Sequence, residues 1–312
     1  MIRSEEQLNT QIEKCSVCIS QKFAGTDGKK ALVVCGGTGC LASGSANILK
    51  SLQEKIVELG LQDKVTANKV GCFGFCSEGP FVKIYPDDIL YRGVKPADAE
   101  EILNKTVING EIIERLLYVD PVTKEKVQKQ HDITFYKKQV KVALHGCSII
   151  NPEDINEALG YGAFQGLAKA LKMTRQEVID EVLASGLRGR GGGGFPTGRK
   201  WQFAYNSPSD EKYVICNGDE GDPGAFMDRC IFEGNPLSVI EGMAIAGYAI
   251  GAQQGYFYVR AEYPIAVSRL RIAIKQAEEL GLIGDNILGS GFNFHIGVRL
   301  GAGAFVCGEE TA

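Results

Sequence analysis

The chain has 312 residues, of which 44% are hydrophobic and 23% are charged, a composition typical of a globular protein with room for about two domains. Its 34 Lys and Arg against 38 Asp and Glu give a formal charge of −4, which argues against a dedicated nucleic-acid binder. No apolar run reaches the roughly 18 residues that a membrane span needs, and the polar N-terminus lacks a signal-peptide pattern. We therefore expect a cytoplasmic protein.

The first 110 residues are predicted to form a helical lead-in (residues 1–28) and a small α/β domain (29–110). Apolar periodicity predicts helices over 1–24, 45–59 and 96–106 and strands over 29–34, 64–70, 81–85 and 89–91. In the resulting β-α-β-β-β-α order, two cysteine-rich turns each follow a strand. The charge-dense residues 111–135 are expected to be a solvated linker.

Residues 136–312 are predicted to form a second α/β domain. The pattern predicts helices over 152–159, 161–172, 175–185, 236–250 and 264–280 and strands over 213–216, 255–260 and 292–298. Thr174 and Glu177 form a capping box at the start of the third helix, and Gly281 ends the last helix. A dense glycine segment follows the third helix.

Cysteine and glycine are both abundant, with 10 and 39 residues respectively, and both are clustered. Cys35-x4-Cys40 and Cys72-x3-Cys76 lie on glycine-rich turns, and four such cysteines bind zinc or an iron–sulfur cluster. Structural zinc usually takes tighter C-x2-C spacings, so the pattern favours [2Fe–2S], with a zinc site or four buried thiols as the alternatives. The remaining cysteines are predicted to be incidental or small core residues: Cys15, Cys18, Cys147, Cys216, Cys230 and Cys307.

The densest glycine segment has six glycines between Gly186 and Gly194. It matches G-x-G-x-x-G, but a dinucleotide fingerprint follows a strand, whereas this segment follows a predicted helix. The Walker A pattern also fails, because Arg199 and Lys200 stand where Lys and Ser or Thr are required. Exposed backbone N–H groups can still wrap a phosphate. With cations nearby and Phe195 and Trp201 as an aromatic wall, we predict a phosphate cradle rather than a flexible linker.

An acidic turn, residues 217–224, follows the predicted strand 213–216. A calcium loop is excluded because Gly221 occupies the fifth ligand position. Carboxylates at strand ends can instead accept hydrogen bonds from ribose or ribityl hydroxyls, and a solvated turn is the alternative. A third glycine-rich segment, residues 301–312, ends in paired carboxylates.

Four segments together resemble a known family: GLRGRGGGGFPTGRKW (186–201), NGDEGDPGAFMDR (217–229), RAEYP (260–264) and GAGAFVCGEETA (301–312). They are similar to the flavoprotein subunit of respiratory complex I and to its relatives in NAD-reducing hydrogenases and NAD-dependent formate dehydrogenases. Residues 30–110 resemble the thioredoxin-like [2Fe–2S] ferredoxin of the same systems. Fusion of the two on one chain resembles the hydrogenase and formate dehydrogenase flavoproteins, and the motif GDEGDPGAFMDR favours the hydrogenase type.

The resemblance implies a thioredoxin-like domain followed by a Rossmann-like α/β domain that binds FMN and NADH. The implied activity is hydride transfer from NAD(P)H to FMN and then single-electron transfer to iron–sulfur clusters, with no general acid or base. The implied partners are other subunits of a hydrogenase-type complex. The alternatives are a complex I or formate dehydrogenase subunit, or a non-catalytic iron–sulfur electron-transfer module.

The resemblance also implies a set of site residues. Cys35, Cys40, Cys72 and Cys76 would hold the [2Fe–2S] cluster, and Phe195 and Phe203 would stack on the dinucleotide. The implied cofactor-binding residues are Gly189, Arg190, Gly191, Gly192, Gly194, Phe195, Lys200, Phe203, Asn217, Asp219, Glu220, Asp222, Gly308, Glu309 and Glu310. Relatives continue beyond this point, so the chain is expected to be a C-terminally truncated fragment, with a [4Fe–4S] cluster only in the missing part.

Overall fold

The computed structural model describes residues 1–190, 193–222 and 224–303. Contacts divide these residues into two units, here called the cysteine unit and the parallel-sheet unit. The cysteine unit comprises residues 14–161 and 233–235, and the parallel-sheet unit comprises the described parts of 1–13, 162–232 and 236–312. Within the described residues, none of the helices has the length and apolar character to cross a membrane.

The elements of the N-terminal half follow the predicted order closely. They are α1 (Glu5–Ala24), β1 (Lys30–Cys35), α2 (Thr38–Ala42), α3 (Ser45–Glu58), β2 (Val65–Val70), β3 (Val82–Tyr85), β4 (Ile89–Tyr91), α4 (Ala99–Glu101), β5 (Tyr118–Val119), β6 (Lys126–Val127), α5 (Thr134–Lys137) and α6 (Ile155–Gly160). The predicted helix over 96–106 is built of three pieces: a 3₁₀ turn Pro96–Asp98, α4, and a π-helical stretch Ile102–Ile108. Short 3₁₀ turns also occur at Cys76–Glu78, Glu114–Leu116 and Gln130–Asp132.

The sheet of the cysteine unit has the strand order β2-β1-β3-β4. Strand β1 pairs parallel with β2 and antiparallel with β3, and β3 pairs antiparallel with β4. Both cysteine-rich turns leave parallel neighbouring strands at their carboxyl ends. The sheet therefore brings the two turns to the same edge.

Strand β1 is the centre of the cysteine unit, since its side chains alternate between two cores. Leu32 and Val34 pack on one face with α3, whereas Val33 and Cys35 pack on the other face. Residues from the expected linker also enter these cores. The buried side chains from this segment are Ile113, Leu116, Leu117, Tyr118 and Ile133. Single apolar residues on either side therefore anchor this segment to the sheet, whereas residues 121–126 are exposed, as expected for a solvated stretch.

The elements of the C-terminal half are α7 (Gln165–Ala170), α8 (Arg175–Ala184), α9 (Thr197–Asn206), β7 (Tyr213–Gly218), α10 (Met227–Gly234), α11 (Pro236–Ile250), β8 (Gln254–Arg260), α12 (Pro264–Leu280), a 3₁₀ turn Ile287–Gly289 and β9 (His295–Gly301). The strands form a parallel sheet in the order β7-β8-β9. Helix α11 packs on β7 and β8, and α12 packs on α11 and β9. This is a parallel α/β arrangement, as predicted.

Three details of this unit refine the predictions. The Thr174–Glu177 capping box is confirmed, and Gly281 ends α12 with the left-handed φ of 75° that favours glycine. The last strand begins later than predicted because Phe294 pairs with Gly284 instead. Helices α9 and α10 were not predicted.

The division of the sequence into the domains 1–28, 29–110, 111–135 and 136–312 remains a prediction. The two contact-based units have different boundaries.

Candidate functional site

The structure brings the four predicted cluster ligands together. Cys35 ends β1, Cys40 lies in α2, Cys72 follows β2 and Cys76 begins a 3₁₀ turn. The Cys35 thiol is hydrogen-bonded to Cys40 and Cys72, and the Sγ atoms of Cys72 and Cys76 are 4.0 Å apart. Cys35, Cys40 and Cys72 are buried, whereas Cys76 is exposed. Three of the four cysteines are thus shielded from solvent, and solvent can reach the group only at Cys76.

Hydrogen bonds within this group set the thiol acidities. The bond between Cys35 and Cys40 raises the pKa of Cys35 to about 12 and lowers the pKa of Cys40. The backbone N–H of Gly74 also donates to Cys72 Sγ at 3.2 Å. Backbone donors of this kind stabilise thiolate charge and tune the potential of an iron–sulfur cluster.

Glycines line the space around the thiols. A Cβ atom at Gly37 would lie 2.9 Å from Cys72 Cβ, and one at Gly79 would lie 2.7 Å from Cys40 Sγ. At Gly39 the nearest atoms, those of Cys76, would be 3.4 Å away. Side chains at Gly37 and Gly79 would therefore enter space next to the sulfurs. Small residues and four converging thiols fit a [2Fe–2S] cluster.

Within residues 1–190, 193–222 and 224–303, no group of three or more His, Cys, Asp or Glu side chains could hold a single metal ion. The contacts nevertheless join all four thiols, Cys35 with Cys40 and Cys72 and Cys72 with Cys76, and a [2Fe–2S] cluster spreads four thiolates over two irons. The donor set therefore fits a cluster of two irons. Of the other predicted cysteines, Cys15 and Cys147 are buried and Cys18 is exposed. Cys307 lies outside the described residues.

One contact of the cysteine turns was not predicted. Both carboxylate oxygens of Glu233 accept hydrogen bonds from Thr38, which lies between Cys35 and Cys40. Thr38 and Glu233 are 195 positions apart in the sequence. No local sequence pattern could connect them.

A second candidate site lies at the carboxyl edge of the parallel sheet. Strand β7 ends at Gly218, inside the acidic turn, and the Asp219 N–H donates to Asn217 Oδ1 at 3.0 Å. The Glu220 carboxylate accepts from the Arg229 N–H at 3.1 Å, and the Glu220 carbonyl accepts from the Arg260 guanidinium. Arg260 ends β8. The predicted residues Asn217, Asp219 and Glu220 are therefore held where ligands bind in parallel α/β folds.

The Asp219 side chain has one oxygen that needs a donor. Its Oδ2 is buried and has no hydrogen-bond partner among the described residues. A buried acceptor without a partner costs about 1–3 kcal/mol, and such atoms in native structures call for an explanation. A hydroxyl donated by a bound ligand would satisfy it. This is the role that the sequence predicts for the turn toward a ribityl or ribose group.

Hydrogen bonds join the two described ends of the glycine-rich segment, which lies between two helices. The Gly189 N–H donates to the Phe195 carbonyl at 2.9 Å, and the Thr197 N–H donates to the Leu187 carbonyl at 2.9 Å. Arg188 Nε donates to the Gly194 carbonyl at 2.5 Å. The loop follows α8, as expected, and leads directly into α9, which the sequence did not predict. The N-terminus of α9 adds further N–H donors for an anion.

Cations and aromatic rings surround this loop. The exposed cations are Arg188, Arg190, Arg199 and Lys200. The rings of Phe195 and Phe203 are 6.3 Å apart between centroids and are 49% and 66% exposed. An exposed aromatic pair beside cations suits a planar, phosphate-bearing ligand. Asp222 is also exposed.

The described contacts place the predicted residues in two groups of the parallel-sheet unit. One group is the loop with α9, and the other is the sheet edge. Helix α9 packs on α8 and α11, and α11 packs on β7 and β8. Five predicted cofactor-binding residues lie outside the described residues: Gly191, Gly192, Gly308, Glu309 and Glu310.

Comparison with known proteins finds a matching family model for each of two segments. Residues 182–312 match the family model of the Nuo51 FMN-binding domain, and residues 21–107 match that of the thioredoxin-like [2Fe–2S] ferredoxin. These matches confirm the predicted thioredoxin-like fold of the first segment. They also support FMN and a [2Fe–2S] cluster as the cofactors.

Relatives point to the same families. The NADP-reducing hydrogenase subunit HndC of Solidesulfovibrio fructosivorans is 58% identical over 179 residues, which are 57% of this chain and 36% of that protein. An NADH-quinone oxidoreductase subunit of Aquifex aeolicus (strain VF5) is 54% identical over 158 residues, 51% of this chain and 37% of that protein.

A solved thioredoxin-like [2Fe–2S] ferredoxin from Aquifex aeolicus is 34% identical and covers 28% of this chain and 94% of its own, with a TM-score of 0.27. The chain spans about a third of the length of the two curated relatives. Over residues 21–107 and 182–312, the chain is similar to the thioredoxin-like [2Fe–2S] ferredoxin and Nuo51 FMN-binding families, as its motifs predicted.

Proposed function

We propose that the chain is an NAD(P)H dehydrogenase (diaphorase) module of a multi-subunit, hydrogenase-type redox complex. The observation that carries this proposal is the buried Asp219 oxygen at the carboxyl edge of the parallel sheet, which has no partner among the described residues. It supports a bound ligand with hydroxyl groups at the place where this fold binds nucleotides. Bound FMN would supply the chemistry that converts a hydride into single electrons for iron–sulfur clusters.

The chain's own residues would bind and orient the cofactors. Asn217, Asp219 and Glu220 present oxygens to the hydroxyl groups of the flavin side chain. The loop N–H groups, Arg190 and Lys200 neutralise the phosphate. Phe195 and Phe203 offer exposed rings against which the dinucleotide can stack. Hydride transfer needs no general acid or base from the protein, and no such residue is assigned.

The [2Fe–2S] site would receive electrons within the same chain. Cys35, Cys40, Cys72 and Cys76 would be its ligands, and the Gly74 N–H would stabilise charge on Cys72. A hydrogenase-type complex is favoured because a relative with 58% identity is named as an NADP-reducing hydrogenase subunit. The other subunits of that complex would be the partners, and we place it in the cytoplasm, where NAD(P)H is available.

Reconstitution of the 312-residue chain tests the proposal. The chain is incubated anaerobically with FMN, ferrous iron and sulfide, and released flavin is measured by fluorescence after acid treatment. We expect stoichiometric flavin and reduction of ferricyanide with NADH or NADPH. Asp219→Ala should reduce flavin retention by about tenfold, equivalent to about 1.4 kcal/mol. The matched control is Asp210→Ala, which removes an exposed carboxylate before β7 begins and should have no effect.

A folded chain, judged by circular dichroism, that retains no flavin and reduces no ferricyanide would contradict the proposal. Retention of [2Fe–2S] without flavin would favour the electron-transfer module instead. Reduction of quinone analogues but not of viologens by the assembled complex would favour a complex I type over a hydrogenase type.

A further inference from the structure

Glu233 is a buried acid that none of the cofactor assignments uses. It lies in α10, within the segment that matches the FMN-binding family, yet its contacts assign it to the cysteine unit. Its relative exposure is 1%. A carboxylate is rarely buried this completely unless its charge is compensated by hydrogen bonds.

Thr38 supplies that compensation twice. Its backbone N–H donates to Glu233 Oε2 at 3.0 Å, and its hydroxyl donates to Glu233 Oε1 at 2.5 Å. An ionised carboxylate accepts at both oxygens in this way, and hydrogen bonds to a charged acceptor are about twice as strong as neutral ones. Thr38 is therefore fixed at both its backbone and its side chain.

Thr38 stands in the turn between Cys35 and Cys40. This turn carries two of the four thiols, and α2 begins at Thr38. Fixing the backbone of Thr38 fixes the spacing of the two cysteines on either side of it. Glu233 is thus linked to the predicted cluster by one intervening residue.

The residue after Glu233 touches the second cysteine turn. A Cβ atom at Gly71, just before Cys72, would lie 2.6 Å from the Cα atom of Gly234. A Cβ atom at Gly234 would lie 2.4 Å from Cys147 Sγ. The backbones therefore meet at a distance that only glycine permits. The pair Glu233-Gly234 contacts the turns that hold all four thiols.

We propose that Glu233 is a positioning residue for the [2Fe–2S] cluster: it fixes the Cys35–Cys40 turn through Thr38 and lowers the reduction potential with its buried negative charge. The inference rests on the proposed function, since it requires the four cysteines to bind the cluster. Reduction adds an electron, and a nearby negative charge in a low-dielectric interior disfavours it. Net charge, hydrogen bonds and burial are the factors that set such potentials.

The test compares three variants of the reconstituted chain. Glu233→Gln keeps the size and removes the charge, and Thr38→Val removes the hydroxyl donor but keeps the N–H. The matched control is Asp98→Asn, because Asp98 is a buried carboxylate of the same unit that accepts from the Lys95 N–H at 2.7 Å. Iron and sulfide content, the EPR spectrum after dithionite reduction and the midpoint potential are measured for each.

We expect every variant to retain the cluster. Glu233→Gln should favour reduction about tenfold, a rise of about 59 mV for a one-electron couple, with altered EPR g-values. Thr38→Val should shift the potential in the same direction by less, and Asp98→Asn should match the parent chain. A purely structural role would lower cluster content in Glu233→Gln and Asp98→Asn alike and leave the potential unchanged.

Failure of the proposed function and failure of the inference about Glu233 give different results. A parent chain that takes up no iron and sulfide contradicts the proposed function itself. A parent chain that holds the cluster, with Glu233→Gln at the parental potential and g-values, overturns only the inference. If Glu233→Gln does not fold, Thr38→Val decides: a raised potential supports the inference, and parental values overturn it.

Discussion

Asp219 and Gly301 lie against each other at the carboxyl edge of the parallel sheet. Asp219 follows the outer strand β7, and Gly301 ends the other outer strand, β9. A Cβ atom at Gly301 would be 3.1 Å from Asp219 Oδ1 and 3.2 Å from the hydroxyl of Tyr258 on the central strand. The acidic turn therefore packs directly over the end of β9. The absence of a side chain at Gly301 lets the Asp219 carboxylate occupy this position.

We predict that Gly301→Ala weakens FMN binding about tenfold, or about 1.4 kcal/mol, because the added methyl group pushes the Asp219 carboxylate a few tenths of an ångström out of position. The dissociation constant is measured by flavin fluorescence quenching. The control is Gly297→Ala on the same strand, where a Cβ atom would be 3.0 Å from the ring of Tyr256, away from the acidic turn. Equal flavin affinity in the two variants would show that Gly301 has no special relation to the site.

Two glycine substitutions in the Cys35–Cys40 turn test how much space the cluster requires next to the thiols. Gly37→Ala places a methyl group 2.9 Å from Cys72 Cβ, whereas Gly39→Ala meets Cys76 only at the ordinary contact distance of 3.4 Å. We expect Gly37→Ala to lower cluster incorporation several-fold and Gly39→Ala to leave it unchanged, since alanine is also favoured inside α2. Iron and acid-labile sulfide are assayed per chain. The reverse order of effects would mean that the turn opens when the cluster binds.

The identity of the cluster ligands is tested by comparing a substitution at one of the four predicted ligands with a substitution at Cys18, which is predicted to be incidental. Cys72→Ala should abolish the visible absorption and the EPR signal of the cluster, because alanine has no atom that can bind iron. Cys18→Ser, at an exposed cysteine of α1, should leave both signals intact. Loss of the signal in Cys18→Ser would place Cys18, rather than one of the four, among the ligands.

The convergence of the four cysteines was predictable because their spacing and their position after strands are local properties of the sequence. The acidic turn was predictable for the same reason, since it follows a clear strand. The partner of Thr38 was not, because Glu233 is 195 positions away and only tertiary packing joins the two. The contact of Asp219 with Gly301 likewise depends on the register of three strands, which apolar periodicity does not specify.

Helix α9 was missed because its first residues belong to the glycine-rich segment 186–201, which we interpreted as a loop from the sequence. Its close packing depends on Gly198, where a Cβ atom would lie 2.6 Å from Leu183 Cγ, so the backbone of α9 approaches α8. Trp201 and Tyr205 then pack on the small core formed with Val178 and other residues. In a sequence, glycine at such a position indicates a loop. In the structure, it allows two helices to approach each other closely.

The last prediction concerns pH and Glu241 on α11. Its carboxylate accepts from the N–H groups of Phe164 at 2.7 Å and Leu167 at 3.0 Å, at the start of α7. Burial raises the pKa of Glu241 above its ordinary value of 4.5, and the backbone hydrogen bonds only partly oppose this. The folded protein therefore binds this proton more tightly than the unfolded chain. The resulting stabilisation is complete below the unfolded pKa and is lost as the pH rises through the folded pKa.

We predict that Glu241→Gln lowers the free energy of unfolding by about 1–3 kcal/mol, because one backbone donor loses its acceptor. The deficit relative to the parent chain should be largest below pH 4.5 and should narrow toward neutral pH, as urea unfolding at a series of pH values would show. Glu177→Gln is the control, and its loss of stability should depend on pH in the opposite direction. The Thr174 hydrogen bonds lower the pKa of Glu177, so its stabilisation is lost as the pH falls and that deficit should widen toward neutral pH. Parallel trends in the two variants would refute the assignment of a raised pKa to Glu241.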